Sequence, residues 1–328
     1  MCTSITLQSE DKINFLARTM DFGFELNGLP IVIPRNYAST FHFEGTSKTT
    51  YAFVGTGQKI GRDYMFADGV NEKGLAIAEL YYLNEASYQT SPVEGKINLT
   101  QDEFLTWVLG HVASIDELKE VIKQVEMIGV SNPLLSVMSP LHFIVSDKTG
   151  KCVVIETNNE TLTIKDNPVG VMTNSPTLEW HLTNLNNYLF IKPTNYQPKK
   201  FEDYTIKPFG QGSGTYGLPG GLTSPERFVR ATYMKTYAEK GKNESQALNS
   251  IFHILNTVTI PKGVNIEDDG HYDYTQYRAA FNLNSATYYF NPYYTQEVFS
   301  VELTEDLCSK DDATVFSVSQ DFSITKLN

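Results

Sequence analysis

Met1-Cys2-Thr3-Ser4-Ile5-Thr6-Leu7-Gln8 opens the chain, and Ile13-Asn14-Phe15-Leu16-Ala17-Arg18-Thr19-Met20-Asp21 follows after the polar pair Asp11-Lys12. Ser4–Gln8 and Ile13–Arg18 alternate apolar and polar residues, the period of a half-buried strand, so the two read as a hairpin. A hairpin returns the end of its second strand to the start of its first. Cys2 is therefore predicted to lie beside Arg18 and Asp21. A small residue after Met1 lets the methionine be removed, which leaves Cys2 with a free α-amine. That amine titrates at about 7.7–8.0 and suits a base working on the residue's own thiol. The thiol, ordinarily at about 8.5, needs a nearby cation to become thiolate, and Arg18 is placed to supply one. Asp21 is placed to hold the amine. The start of the chain thus reads as an active site built on position rather than on a motif.

Working outward, further strand-like runs occur at Pro30–Pro34, Tyr51–Val54 and Leu75–Ala78. Thr100-x-x-Glu103 and Ser114-x-x-Glu117 have the capping-box spacing and predict two helices. Strands resume at Leu141–Ser146, Cys152–Glu156, Leu162–Lys165 and Val169–Met172. Ser175-Pro176 and Ser224-Pro225 each read as an N-cap with proline at the first helical position, heading helices to about Tyr188 and Tyr237. A helix over about 244–255 and four C-terminal strands complete the pattern. Strands, helices, strands, helices, strands without regular βαβ alternation predict α+β layers with antiparallel sheets. No linker separates two cores, so residues 1–328 read as one domain. The glycine-rich Phe209–Gly221 stretch lacks the GK[ST] ending of a phosphate loop and reads as a shaped surface loop or oligomer arm.

Composition narrows the function. The 328 residues carry 26 basic and 38 acidic side chains, a net charge of −12, which disfavours nucleic acid or an anionic membrane as partner. No 18-residue apolar run predicts a membrane span, and the N-terminus lacks the basic and apolar regions of a signal peptide. Three cysteines make neither a disulfide framework nor a metal-ligand spacing, and a reducing cytoplasm fits. Cys152, in the apolar run Val153-Val154-Ile155, reads as an inert core thiol, and Cys308 as incidental in a polar loop. HExxH, paired CxxC and GxSxG are all absent. The six histidines show no partner pattern. Acyl transfer also needs oxyanion donors. Asn174, in Thr173-Asn174-Ser175-Pro176, offers an amide just ahead of a predicted helix N-terminus. Arg227 and Arg230 share one helix, with Arg227 able to reach a site while Arg230 stays solvated.

Taken together, Met1-Cys-Thr-Ser4, Ala17-Arg-Thr-Met-Asp21, Phe66-Ala-Asp-Gly-Val-Asn-Glu-Lys-Gly-Leu75, Thr173-Asn-Ser-Pro176, Leu218-Pro-Gly220, Arg227-Phe-Val-Arg230 and Tyr274-Thr-Gln-Tyr277 resemble, in order and over nearly the whole chain, the choloylglycine hydrolase family. That family contains bile salt hydrolases and penicillin V acylases and belongs to the N-terminal nucleophile hydrolases. The resemblance implies a four-layer αββα sandwich of two antiparallel sheets, a homotetramer, an assembly arm over about 190–221, and no metal or organic cofactor. It puts the nucleophile on Cys2, supporting roles on Arg18, Asp21 and Arg227, and oxyanion roles on Asn174 and Tyr81. Tyrosine at position 81, where bile salt hydrolases typically have asparagine, tilts the expected substrate toward penicillin V. Bile salt and acyl-homoserine lactone hydrolysis are the alternatives. The family's pocket loops fall on Met20–Leu26, Gln58–Tyr64 and Asn132–Pro140. Met20, Phe22, Phe24, Tyr64, Tyr82 and Met138 are the expected contacts to a small-molecule N-acyl amide.

Overall fold

The computed structural model describes all 328 residues. The opening hairpin forms as its alternation requires. Strand β1 (Cys2–Gln8) pairs antiparallel with β2 (Asn14–Phe22), with Cys2 opposite Met20, Thr3 opposite Thr19 and Ser4 opposite Arg18. Its turn puts Lys12 at a φ of 71°, and the Ser9 hydroxyl accepts from the Ile13 N–H at 2.9 Å.

This hairpin is the middle of a six-stranded sheet. Val171–Met172 flanks β1, and Tyr274–Asn282, Thr287–Pro292 and Phe299–Glu302 follow β2 in order. A second, nine-stranded sheet runs Thr163–Asp166, Cys152–Glu156, Leu141–Asp147, Leu75–Tyr81, Asp68–Asn71, Phe53–Ile60, Leu29–Ile33, Thr314–Val315, with Asp63–Phe66 paired beside Phe53–Ile60. All pairings in both sheets are antiparallel. Helices Ser224–Tyr237 and Glu244–Asn256 cover the first sheet, and Phe104–His111 and Ile115–Val121 cover the second. The architecture is the expected αββα sandwich. One apolar core joins the two sheets and the first helix pair through residues such as Ile5, Phe15, Val54, Ile144 and Phe228, and a second lies under Phe104–His111. Each burial of a large aliphatic or aromatic side chain contributes about 1.5–3 kcal/mol.

The helix starts differ from the sequence reading in an informative way. Ser114 caps its helix as predicted, accepting from Glu117 N–H at 3.2 Å. Thr177, not Ser175, caps Leu178–Asn184. Thr223 occupies the N-cap position before Ser224, because the Ser224 hydroxyl is taken by the Asn174 N–H at 2.9 Å. Arg230 is buried rather than solvated and donates to the carbonyls of Pro219, Gly221 and Thr257. Cys308 is also buried, on the short Glu305–Cys308 helix rather than in a polar loop. Residues 199–206 form an exposed hairpin that leads into the glycine-rich stretch. No helix is long and apolar enough to cross a membrane.

Candidate active site

Alternation divides the residues around Cys2 between the two faces of the first sheet. Cys2, Arg18 and Met20 share one face, because Arg18 lies diagonal to Cys2 across the ladder. Arg18 is fully buried, and its Nη2 donates to Cys2 Sγ at 3.0 Å. Behind it, Nη1 donates to Ala67 O at 2.8 Å and meets Asp68 at 3.4 Å. Asp68 also accepts from the hydroxyls of Tyr277 (2.6 Å) and Tyr288 (2.9 Å) and from Thr56 N–H (3.1 Å). Burial works against the Arg18 charge, but Cys2, Tyr277, Asp68 and Glu79 outweigh it and hold the guanidinium above its ordinary range. The sulfur thus faces a charged donor that its surroundings keep in place.

The opposite face holds Thr3, Thr19 and Asp21 against the Ser224–Tyr237 helix. Arg227 of that helix donates to Cys2 O, to Thr3 Oγ1 at 2.7 Å and to Asn174 Oδ1 at 2.6 Å. Asn174 Oδ1 also accepts the Cys2 N–H at 2.9 Å, and its Nδ2 donates to Tyr81 O at 2.8 Å. The Asp21 carboxylate is taken by Thr19 (2.9 Å) and Thr275 (2.5 Å), while its backbone oxygen accepts from the Met1 amine at 2.7 Å. Burial pushes the Asp21 carboxyl up, chiefly against the pull of Arg227, and pushes Arg227 down against the pull of Asp21. The six residues expected from the sequence as the reacting group therefore converge. Asp21 does so through its backbone oxygen, with its carboxylate occupied by two threonines.

Two histidines that the sequence left unassigned belong to the same support. His142 Nε2 donates to Thr173 O and His181 Nε2 to Asn174 O, both at 3.0 Å. Burial pulls their pKa down to about 3 and about 4, so each is a neutral donor. Successive backbone carbonyls on either side of the Asn174 Cα are thus clamped. Their partners are main-chain atoms, which leave no trace in residue spacing.

An apolar cleft opens beside Cys2, lined by Met20, Phe22, Leu26, Met65, Leu134, Leu135 and Tyr81 among others. The Phe22 and Tyr81 rings meet edge to face at 5.0 Å. A bulge at Gln276 aims that side chain at the Phe22–Leu26 loop, donating to Phe22 O and Phe24 O and accepting from Leu26 N–H. A second groove, apolar where it shares Phe22, Tyr81, Leu134 and Leu135 with the cleft, continues past Met1, Phe24, Asn174 and Ser175 to a polar end at Glu267, Asp269, His271 and Asp273. Of the expected contacts, Met20 and Phe22 line the cleft and Phe24 lines the groove. Tyr82 does not. It is fully buried and stacks on His142, ring centroids 4.4 Å apart, because strand alternation turns it away from the face of Tyr81. Tyr64 packs toward the outer core against Tyr37, and Met138 lies over Gly129. Neither lines cleft or groove, and Leu134, Leu135 and Val137 of the same loop do. Gln58 and Ser139, within two of the expected pocket loops, also face the cleft, as do Glu79 and Asp102, which the sequence did not single out. No group of three or more His, Cys, Asp or Glu side chains converges as a metal site would require.

The family model for linear amide C–N hydrolases, choloylglycine hydrolase family, matches residues 2–316. A bile salt hydrolase/transferase of Clostridium perfringens (strain 13 / Type A) is 34% identical over 330 residues, covering 100% of both chains. The crystal structure of the C2A mutant of conjugated bile acid hydrolase from Clostridium perfringens superposes with a TM-score of 0.93 at 33% identity, again over 100% of both chains. A penicillin V acylase of Pectobacterium atrosepticum is 29% identical over 310 residues, covering 88% of this chain and 76% of that protein. The tilt toward penicillin V drawn from Tyr81 is therefore not favoured by these likenesses.

Proposed function

The chain belongs to the choloylglycine hydrolase family of linear amide C–N hydrolases, and from that premise we propose that Cys2 is the nucleophile of an amidase acting on conjugated bile acids. The observation that carries the amidase reading is the Arg18 guanidinium 3.0 Å from the Cys2 sulfur at the head of an apolar cleft. The bile acid reading is supported by the full-length relatives.

In this mechanism Met1 is removed and the amine of Cys2 takes the thiol proton. Sulfur attacks the amide carbon and forms a tetrahedral oxyanion. The second N–H of Asn174 Nδ2 stabilises it, together with the Tyr81 main chain. The Glu79 N–H donates to Ala67 O at 3.0 Å. The neighbouring strand, Asp68–Asn71, extends no further in that direction. That leaves the Tyr81 N–H, next along the same edge, available to the site. Carbon–nitrogen cleavage sends the proton from the ammonium of Cys2 to the leaving amine. Water then attacks the thioester, releasing the acid and restoring the thiol. Arg227 and Asn174 hold Cys2 at both ends of its backbone, so the nucleophile does not reorganise during the reaction.

The acyl group is assigned to the apolar cleft and the amine to the groove. A second reading, penicillin V, rests on the Phe22–Tyr81 aromatic pair, which suits a phenoxyacetyl group. Side-by-side kcat/KM for glycocholate, taurocholate, penicillin V and an acyl-homoserine lactone decides between them. Preference for penicillin V would replace the bile acid reading, and inertness toward every amide would remove the amidase reading. The exposed apolar side chains of the 190–221 stretch, among them Phe190, Tyr204, Phe209 and Tyr216, support its role as an arm of a homotetramer, which sedimentation would show.

A further inference from the structure

The Leu75–Tyr81 strand breaks its own pattern inside the cleft. Leu75 and Ile77 pack into the outer core, and Ala76, Ala78 and Leu80 into the core between the sheets. The next outer-face position is Glu79, where alternation calls for an apolar side chain. Burial pushes its carboxyl well above the carboxylate range, and Asp102 and Asp68 push the same way against Arg18. Its Oε2 is buried without a hydrogen-bond partner. The Gln58 side-chain oxygen is also buried without a partner, the Ser139 hydroxyl lies near Asp102 and Tyr81 without a well-formed hydrogen bond, and all three face the same cleft. Asp102 differs, because Asn132 and Gln101 amides satisfy it at 2.8 Å each.

Buried polar atoms are rarely left unpaired, and three gathered in one mainly apolar cleft mark a place where a ligand completes the hydrogen bonding. The Gln58 oxygen only accepts, while the Ser139 hydroxyl and the Glu79 carboxyl, driven toward its neutral form, serve either way, so the missing group must donate to Gln58. We infer that Glu79, Gln58 and Ser139 form a specificity subsite for a hydrogen-bond donor, a hydroxyl or an amine, carried on the acyl group. A site built to bond a hydroxyl rejects the analogue lacking it, because the analogue leaves these groups unpaired. The inference rests on assigning the acyl group to this cleft.

The test uses three glycine-conjugated sterol acids of one skeleton, bearing hydroxyl, amine or hydrogen at the same ring positions. The full-length enzyme is expected to turn over a donor-bearing conjugate with kcat/KM at least about tenfold above the donor-free one. The hydroxyl and amine arms show which donor is preferred. Glu79→Leu is expected to bring that ratio near one, and Glu79→Gln to retain part of it. Should Glu79→Leu fail to fold, as judged by its melting transition, Ser139→Ala is expected to lower the ratio severalfold. Binding of the same three compounds to the Cys2→Ala protein by calorimetry keeps the subsite question separate from catalysis. Donor-selective binding without hydrolysis would sustain the subsite and overturn the amidase. Equal affinity and equal kcat/KM across the three compounds would overturn the subsite whatever the enzyme hydrolyses.

Discussion

Cys2 and Cys152 both sit on strands within the sandwich, and each has a cation nearby. At Cys2 the guanidinium of Arg18 donates directly to sulfur at 3.0 Å, with Asp68 fixing it from behind. At Cys152 the cation is Lys235, whose ammonium is spent on Thr6 Oγ1 at 3.0 Å and on the carbonyls of Val169 and Gly170. Burial pulls that lysine down to about 8 and pushes the Cys152 thiol up to about 12, with Lys235 opposing but not reversing the push. The difference teaches that a cation within Coulomb range does not by itself make a nucleophile. The N–H must point at the sulfur, and the charge must be held there by a counterion that does not compete for the same contact.

The sharpest way to break that comparison is to exchange the fates of the two thiols. Cys2→Ala is expected to lower kcat by ~10⁴ or more, and Cys152→Ala to leave it within about twofold. Iodoacetamide at pH 7 is expected to label Cys2 and spare Cys152 by peptide mass. Labelling of Cys152 first would refute the assignment. Arg18→Leu comes next, at about 10²–10³ in kcat/KM, with the labelling rate of Cys2 falling in parallel. Arg18→Lys should recover a part only, because an ammonium cannot bond Cys2, Ala67 and Asp68 together with a planar fork. Asn174→Ala should also cost about 10²–10³, in kcat more than in KM, since in the proposed mechanism its amide bonds the oxyanion rather than the ground state. A change confined to KM would argue that Asn174 seats substrate instead.

These effects also separate what the chain makes legible from what it hides. The hairpin, the proposed nucleophile and its neighbours follow from alternation and from position in the chain, so Cys2, Arg18 and Asp21 could be placed before any fold was known. Arg227 and Asn174 could be named, but their contacts could not. Ser224 carries a capping signal that folding diverts to Asn174 N–H, and Arg230 loses its expected solvation to three loop carbonyls. Tyr81 and Tyr82 are chemically alike in the sequence, and strand alternation alone separates a cleft residue from a buried one. Glu79 is the opposite case, a polar residue where the pattern demands an apolar one. Breaks of that kind are visible early but become meaningful once a cavity is found on that face.

The smallest expected effect concerns the seat of Cys2 rather than its sulfur. His181 donates to Asn174 O and stacks on Phe228, ring centroids 4.5 Å apart, and burial holds its pKa at about 4 against an unfolded value of about 6.5. Between those values the unfolded chain binds the extra proton, so stability rises with pH across that window. The contribution is fully present above about 6.5 and is lost as pH falls through about 4, with His142 extending the loss toward about 3. His181→Phe keeps a ring against Phe228 and removes the titration. Its unfolding free energy, measured from pH 4 to 7, should therefore change less steeply than that of the unaltered protein, by ~1–3 kcal/mol across the window. At pH 7 its kcat should fall only severalfold, because Ser224 and Arg227 still hold Asn174. The surroundings of Cys152 should not notice, and hydrogen exchange in the Cys152–Glu156 strand would reveal it if they did. An unchanged pH slope would mean that His181 titrates alike in the folded and unfolded chains, and the clamp on the Asn174 carbonyl would then become a charged contact below about 6.5.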